Sequence, residues 1–392
     1  MKLMKATVEI DADHKVNRIS ELPDSLLCHI LSFLHIKQSA ATSILSTRWK
    51  YLFAFVPDID LEYMNPELHF DFINFCRRMI VLRLNLYYLM DVISIRKIMK
   101  GCPLLEELDI GCKCPENFGR ENAIDVLEFS SSSMKKLVFH PFGERQDVTI
   151  IVASNSLQSL DCRLNWLCKD GSGEVILDTP NLKHLAFSGT LEKLNIIGGL
   201  ESVDSVEVTN DSYSITSAED LIVLLHRTQN ALSICATIET LEASDGFSRM
   251  LPTFENLARL ELNVRDVCSI RDWEALPFFL ENAPNLEVLL FNHVSTNILW
   301  TNDFVEEEVE CPVETIFPIH LIENLKEIGI KVFNNEEDEF AVVEHLFQNA
   351  KSLRKFTIGA APEPSVCARI SAFKRCSTLC QIVFDEWKYI RF

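Results

Sequence analysis

The sequence predicts an α/β protein in which three short helices precede a long solenoid of strand-containing repeats. Three observations lead to this prediction: a short, strongly apolar helix pattern near the N-terminus, an apolar triplet that recurs eleven times from residue 105 onward, and a similar lead-in before several of these triplets. The chain has 392 residues, of which 47% are hydrophobic and 24% charged, with only 12 Gly and 14 Pro. This composition is typical of a globular protein with two or three structural units.

The helical unit begins at Pro23, which suits a first helical turn because its missing N–H costs nothing there. The following Asp24 places negative charge at the positive end of the helix. The next apolar residues recur at steps of three and four and cover more than half of the helix circumference; they are Leu26, Leu27, Ile30, Leu31 and Leu34. One face of this helix can be buried in its own domain, so the other face needs a second partner.

Two further helical segments are predicted over residues 39–45 and 47–53. A three-helix unit this small and this apolar is too small to be stable and soluble alone, which indicates an interaction motif. Between this unit and the repeats, a triplet at Met79, Leu82 and Leu84 is flanked by helical stretches.

The repeat has the form apolar-x-x-apolar-x-apolar. The first residues of its copies are Leu105, Met134, Leu157, Leu182, Val203, Ile238, Leu257, Leu286, Leu325, Leu353 and Leu379. The steps between copies range from 19 to 39 residues, and most lie near the 20–29 residues of leucine-rich repeats. The last two apolar residues of each triplet alternate at period two and therefore share one face of a short strand. A single unit cannot bury that face, whereas stacked units bury a continuous core. Helical returns are predicted over residues 273–282 and 338–349.

The composition also bears on partners. The formal net charge is −20, and residues 301–340 alone contain twelve acidic residues against two lysines. Such a chain repels phosphate backbones and anionic lipid headgroups, so nucleic acid and membranes are poor candidates for partners. We interpret the acidic runs mainly as solvated loops, with a patch for a basic partner as the alternative.

The chemistry of an enzyme is not evident in the sequence. It contains no P-loop, no G-x-G-x-x-G, no H-E-x-x-H and no G-x-S-x-G. The thirteen cysteines are odd in number, and the spacings of Cys102, Cys112 and Cys114 and of Cys376 and Cys380 are not specific for zinc. The first residues carry acidic side chains and no apolar core of a signal peptide. We therefore expect reduced thiols, no metal, no cofactor and no catalytic residue. We expect the protein to lie in the cytoplasm, the nucleus or both, where thiols stay reduced.

Four motifs resemble the F-box of a large plant family that joins an F-box, irregular leucine-rich repeats and a C-terminal FBD segment. They are RISELPD at 18–24, ILSFL at 30–34, ATSILSTRW at 41–49 and VP at 56–57. The C-terminal part resembles the FBD segment in LKEI at 325–328, NAKSL at 349–353 and CSTLCQIVF at 376–384. The resulting organisation is a loose leader at 1–17, an F-box at 18–60, a leucine-rich-repeat solenoid at 61–312 and an FBD segment at 313–392 that continues the solenoid.

The resemblance implies a receptor that docks on a Skp-type adaptor, and through it on a cullin and a RING subunit, and that binds a protein substrate for ubiquitin transfer. The expected adaptor-binding residues are Leu22, Pro23, Leu26, Ile30, Leu34 and Trp49, and no residue is assigned to the substrate. The chain departs from the family at residues 35–37, which read HIK where the family has Pro-Thr-Lys, and at Phe53, where it has Trp. The span between F-box and repeats is also short for the family. An alternative is therefore an interaction module outside the ligase, or an eroded paralogue with a damaged substrate surface. An enzyme on a repeat scaffold and a small-molecule receptor are further alternatives.

Overall fold

The computed structural model describes residues 19, 22–34, 36–46, 48–49, 52, 58–61, 81–89, 92–113, 125–142, 148–164, 174–189, 191, 194–209, 218–237, 250–263, 270–292, 297–302, 305–310, 313, 317–359 and 363–384. The N-terminal unit contains helices α1 (Asp24–Ser32) and α2 (Ile36–Ala41), and α2 continues into a 3₁₀ turn at Thr42–Ile44. Of the third predicted segment, Arg48, Trp49 and Leu52 lie within the described residues.

The rest of the chain is organised around one sheet of 13 parallel strands. In spatial order they are β1 (Asp58–Leu61), β2 (Val81–Leu89), β3 (Glu107–Lys113), β5 (Lys136–Phe142), β7 (Ser159–Arg163), β9 (His184–Ser188), β11 (Ser205–Thr209), β12 (Ser233–Thr237), β13 (Arg259–Asn263), β14 (Val288–Phe291), β17 (Glu327–Ile330), β18 (Lys355–Ile358) and β19 (Gln381–Phe384). Each strand pairs with the same strand of the preceding repeat, as a solenoid requires. The first strand begins at Asp58, before the triplet at Met79, Leu82 and Leu84.

The returning segments take two forms. Between β3 and β11 they are strands of a second parallel sheet, in the order β10 (Leu194–Ile196), β8 (Val175–Asp178), β6 (Val148–Ala153) and β4 (Asp125–Ser130). Elsewhere, the returning segments within the described residues are helices: α3 (Val92–Gly101), α4 (Ala218–Arg227), α5 (Ile270–Glu281), α6 (Ile319–Ile322), α7 (Glu337–Asn349) and α8 (Pro364–Ala372). An antiparallel hairpin of β15 (Asn297–Asn302) and β16 (Val305–Glu310), which contains the acidic run at 306–308, is inserted between β14 and β17.

The predicted triplets form the core. Their middle residues stand in register across the sheet, as with Leu137, Leu160 and Leu185, and each of these three is at most 1% exposed. The same ladder continues through Ile328 and Phe356, so the C-terminal segment extends the stack. This confirms the prediction of an α/β solenoid whose C-terminal end is the FBD segment.

Two triplets need correction. Residues 238–243 lie outside the described residues, and the repeat at this level is formed by Ala231, Ile234 and Ala236, whose strand pairs directly with β13. Two alanines make this triplet a weak apolar signal, which is why the prediction fell seven residues too late. At the C-terminal end Leu379 is 71% exposed, and the neighbouring Cys380 is buried in its place. This turn belongs to the last repeat of the sheet, where no following strand covers it among the described residues.

Candidate docking and substrate surfaces

The first candidate surface lies on α1, which separates its apolar residues into two stripes. Leu27 and Leu31 are fully buried and pack with Trp49 and Leu52 in a small core of their own. The other stripe faces solvent: Leu26 is 48% exposed, Ile30 is 42% and Leu34 is 39%. Residues four apart lie on the same face of a helix, so Leu26 and Ile30 share one face of α1. Leu34 follows in the turn after α1, where its N–H donates to the carbonyl of Leu31. These three exposed residues are hereafter the docking stripe.

The six residues expected to bind the adaptor do not occupy equivalent places. Besides the docking stripe, Pro23 is exposed and Leu22 is half-buried against the helical core. Trp49 is only 3% exposed, because its ring is part of the core beneath α1. Trp49 therefore packs beneath α1 in the free chain, and contact of the six residues with an adaptor stays a prediction.

Three exposed apolar residues next to this surface were missed. Phe33 is 76% exposed, Ile44 is 87% and Leu45 is 62%. Phe33 sits at the end of α1 with its ring 4.9 Å from that of His29, and the other two lie in or just after the 3₁₀ turn. Helical periodicity did not select them because they lie at helix ends, where the spacing of three and four no longer applies.

The second candidate surface is the face of the 13-stranded sheet opposite the core, hereafter the open face. Its central row stands in strict register across ten neighbouring pairs of strands. The row consists of Asp109, Val138, Asp161, Ala186, Glu207, Cys235, Glu261, Leu290, Gly329, Thr357 and Val383. Charged, polar, small and apolar side chains alternate along it, so it can offer both hydrogen bonds and apolar contact to a partner.

Leu290 and Gly329 show how neighbouring strands adapt to each other on this face. A Cβ atom at Gly329 would lie 2.8 Å from Cδ2 of Leu290. The Leu290 side chain therefore occupies the space that glycine leaves, and it is only 2% exposed. Any larger residue at position 329 would push this side chain outward.

An ion network occupies the open face on β5, β7 and β11. Arg163 donates from Nε to Oδ1 of Asp161 at 2.9 Å and from Nη2 to Oδ2 at 3.2 Å, and its Nη2 lies 3.7 Å from Oε1 of Glu207. His140 Nε2 lies 3.4 Å from the same Oδ1 of Asp161, which is long for a hydrogen bond. Arg163 thus spans the gap above Ala186, whose small side chain leaves room for the guanidinium.

In this network the pKa values of two carboxyl groups, Asp161 and Glu207, are shifted in opposite directions. Burial raises the pKa of Asp161, but the hydrogen bonds and charge of Arg163, with His140 close by, outweigh burial and hold the pKa below its usual value. Burial raises the pKa of Glu207 above its usual value, because Arg163 offsets only part of that effect and the charges of Asp161 and Glu261 add to it.

A second group of charges follows on β12, β13 and the end of β17. Lys331 Nζ donates to Glu261 Oε1, and Arg259 Nη2 lies 3.3 Å from the other oxygen of the same carboxylate. Burial, with Glu261 and Glu207 nearby, raises the pKa of the Cys235 thiol to about 12. Cys235 is therefore protonated at neutral pH and unsuited to nucleophilic chemistry.

The rim before the strands carries an open polar groove of about 650 Å³ along the turns that precede β5, β7 and β9. It is lined by hydroxyl, amide and charged groups, including Ser132, Asn155 and Gln158. Within the described part of the chain, no three His, Cys, Asp or Glu side chains are grouped as a metal site. No described helix is both long and apolar enough to cross a membrane.

Comparison with protein families agrees with both halves of this architecture. Residues 19–57 match the F-box domain, and residues 173–388 match the family described as the At1g61320/AtMIF1 LRR domain. The second match alone spans more than half of the chain. The chain belongs to the F-box/leucine-rich-repeat family. Proteins of this F-box/LRR family are generally non-catalytic adaptors.

Several curated F-box/LRR relatives come from Arabidopsis thaliana. The F-box/LRR-repeat protein At4g14103 is 28% identical over 70% of this chain and 91% of its own length. The F-box/LRR-repeat protein At3g59190 is 27% identical over 73% of this chain and 95% of its own length. The FBD-associated F-box protein At5g22730 is 25% identical over 87% of both chains. The similarity thus extends across the F-box, the repeats and the FBD segment.

Proposed function

We propose that this protein is the substrate-recognition subunit of a Skp–cullin–F-box ubiquitin ligase. Its F-box docks on a Skp-type adaptor, and its LRR/FBD solenoid binds a protein substrate. The observation that carries the proposal is the docking stripe of Leu26, Ile30 and Leu34, which is exposed on a motif that has its own buried core. Burying a leucine or isoleucine side chain contributes about 1.5–3 kcal/mol, so three such residues supply substantial binding free energy.

The division of surfaces supports the same function. The docking stripe lies beside the helical core around Trp49, whereas the open face lies on the sheet of the solenoid, and within the described part of the chain the two cores share no residue. One chain can therefore hold the adaptor and the substrate at once. Such a receptor needs no catalytic residue, because tethering raises the effective concentration of the substrate near the charged ubiquitin carrier.

The open face is the proposed substrate surface. Its ion network and the half-buried apolar side chain of Val383 suit a folded or extended protein partner, which offers backbone polar groups and apolar side chains together. The raised pKa of Cys235 argues against covalent capture of the substrate. We place the protein in the cytoplasm, the nucleus or both, where ubiquitin ligases of this kind act and where free thiols persist.

The alternative is an interaction protein outside the ligase, or an eroded paralogue. It rests on the HIK sequence at 35–37, on Phe53 and on the short span between F-box and repeats. Residues 36 and 37 begin α2, whereas residues 35 and 53 lie outside the described residues. Against erosion of the early repeats stands the sheet itself, which begins at β1 directly after the F-box and continues into β2. Adaptor binding discriminates between the two functions.

The adaptor experiment uses Leu26→Asp combined with Leu34→Asp in the full chain. Placing two carboxylates in an apolar interface should abolish capture of the adaptor, because a buried charge without a partner is strongly unfavourable. Ile197→Asp combined with Leu379→Asp is the matched control, since both residues are exposed apolar side chains of the solenoid, at 65% and 71%. Adaptor capture that survives the first pair, or that is lost equally with the second, would contradict the assignment.

The substrate experiment compares proteins captured by the wild-type chain and by the Leu26→Asp, Leu34→Asp variant, with and without proteasome inhibition. A substrate should accumulate on the variant even without the inhibitor, because the variant binds it but does not deliver it.

A complementary experiment uses a fragment of the chain. The chain is divided after residue 57, since β1 at Asp58–Leu61 pairs with β2 and belongs to the sheet. We expect residues 58–392, when overproduced, to protect the substrate; substrate levels that fall instead would show that this fragment still reaches a ligase.

A further inference from the structure

The docking stripe is held at both ends by polar side chains from the segments that follow α1. At the start of α1, Arg48 donates from Nη2 to the carbonyl of Leu22 at 2.5 Å and from Nε and Nη2 to Oδ1 of Asp24 at 2.8 and 2.6 Å. One guanidinium thus bridges two groups on either side of Pro23. A planar fork of donors suits this geometry, whereas a lysine ammonium is a single point charge.

At the end of α1, Ser39 occupies the corresponding place. Its Oγ donates to the carbonyl of Leu31 at 2.9 Å and lies 3.4 Å from the carbonyl of Leu34. The carbonyl of Leu31 also accepts from the backbone N–H of Leu34 at 3.0 Å, so the hydroxyl from α2 is a second donor to this end of the helix. Ser39 is 1% exposed and is a buried polar residue within the apolar motif. Its hydrogen bonds tie the end of α1, and the turn after it that carries Leu34, to α2.

We propose that Arg48 and Ser39 are positioning residues for the adaptor: they fix the tilt and the ends of α1 so that Leu26, Ile30 and Leu34 meet the partner as one rigid row. The apolar contacts beneath α1 do not provide this function. They come from Leu27, Leu31, Trp49 and Leu52, and apolar packing is non-directional, whereas hydrogen bonds at the two ends define position along the helix axis. This inference rests on the proposed function, because it names how the same docking surface is held.

The first test measures the adaptor dissociation constant of the full chain with Arg48→Ala, Asp24→Asn and Asp24→Glu. Loss of the whole guanidinium in Arg48→Ala should weaken binding several-fold, and loss of the charge in Asp24→Asn should weaken it about twofold, because the Arg48–Asp24 pair is exposed. The conservative Asp24→Glu keeps the carboxylate and should restore most of the affinity. If Asp24→Asn binds like the wild type, Arg48 does not act through Asp24 and the proposal fails.

The second test separates positioning from mere stability. Leu26→Ala is combined with Arg48→Ala and with Ser39→Ala, and adaptor affinity and thermal unfolding are measured for every single and double variant. A positioning role predicts that Leu26→Ala costs less affinity in a background where the stripe is already misplaced, so the two effects should not add. Additive effects on affinity would overturn the proposal, as would losses of affinity that simply follow the losses of melting temperature.

The double variant Leu26→Asp, Leu34→Asp distinguishes a failure of the proposed function from a failure of the proposed positioning role. If that pair leaves adaptor binding intact, the proposed function itself is wrong. If it abolishes binding while Arg48→Ala and Ser39→Ala bind like the wild type, the function stands and only the positioning role is excluded. Ser131→Ala is a matched control for serine, since this hydroxyl bonds within a turn of the solenoid far along the chain from the F-box.

Discussion

The returning segments of the solenoid take two different forms along its length, and the shortest repeats all return as strands. Between Met134 and Val203 successive repeats are 21–25 residues long and return as the strands β6, β8 and β10. From Val203 onward most repeats are 26–29 residues long, and most of these return as helices such as α4, α5 and α7. A strand advances about 3.3 Å per residue and a helix about 1.5 Å, so the four residues of β8 and the ten of α4 cover similar distances, about 13 and 15 Å.

The comparison shows that the returning segments cover a similar distance in every kind of repeat, although their secondary structure differs. Both kinds of return cover the same side of the main sheet and complete the same continuous core. The step from Leu105 to Met134 is 29 residues long and still returns as a strand, β4; here the described part of the repeat omits residues 114–124. Length therefore permits a helix without compelling one.

The largest expected effect tests whether the two kinds of return are equivalent as core elements. Phe129 on β4 packs 5.2 Å from Phe139 of the main sheet, and Phe347 on α7 packs 4.7 Å from Phe356. We expect Phe129→Ala and Phe347→Ala each to lower the free energy of unfolding by about 3–5 kcal/mol, because both rings are at most 1% exposed. Denaturant titration measures both; a cost at Phe129 several-fold below that at Phe347 would show that the strand returns are only loosely attached.

An intermediate effect comes from the intrinsic helix and strand preferences of the residues. Substitution by alanine should change the stability in opposite directions in the helical and the strand returns. Val223 is 55% exposed on α4, and Val223→Ala should raise stability by up to about 0.5 kcal/mol, because alanine is the better helix former. Ile151 is half-buried on β6, and Ile151→Ala should lower stability by about 1 kcal/mol, because a β-branched residue fits the pleated surface. Equal signs in thermal melts of the two variants would contradict the distinction between the regions.

The smallest effect concerns pH and the open face beside the strand returns. The pKa of Asp161 is held below its usual value, so its contribution to stability is present above the ordinary carboxyl pKa and is lost as pH falls through the lower folded value. Asp161→Asn should flatten the acid limb of a stability curve against pH. Glu207 has a raised pKa, so it opposes folding at neutral pH, and Glu207→Gln should slightly stabilise the protein there.

The matched control for this pH dependence comes from the region of helical returns. Glu337 forms two hydrogen bonds with Arg369 at 2.8 and 2.6 Å, and this pair is exposed. Glu337→Gln should therefore change the pH dependence of stability only slightly, and this change should disappear in high salt. An acid limb that is equally steep in the wild type and in Asp161→Asn would rule out Asp161 as its source.

Much of the architecture could be predicted from apolar spacing, because a residue buried on one face of a strand must be apolar and must recur once per repeat. This holds for triplets such as Leu182, Leu185 and Phe187. It failed where the signal is chemically weak, at Ala231 and Ala236, and at the end of the stack, where Leu379 is exposed. The returning strands were not predicted, because three to six residues with mixed polarity do not distinguish a strand from a loop.

The docking stripe was predictable from helical periodicity, but the choice between its two faces was not. Leu26 and Leu27 are adjacent and identical in type, and only the position of Trp49 makes one of them core and the other surface. The hydrogen bonds of Arg48 and the ion network around Arg163 were likewise missed, since each joins residues that apolar spacing does not relate.

The sequence alone thus determined which residues are buried in the repeats, the order of helical unit, solenoid and C-terminal segment, and the family resemblance, because these depend on local periodicity and short motifs. The tertiary structure decided which stripe of α1 faces the solvent, whether a repeat returns as a strand or a helix, and which charges meet on the open face. These depend on contacts between segments distant in sequence: Arg48 reaches Asp24 across 24 residues, and Arg163 approaches Glu207 from a strand two positions away. Such contacts form only once the chain has stacked, so local sequence does not specify them.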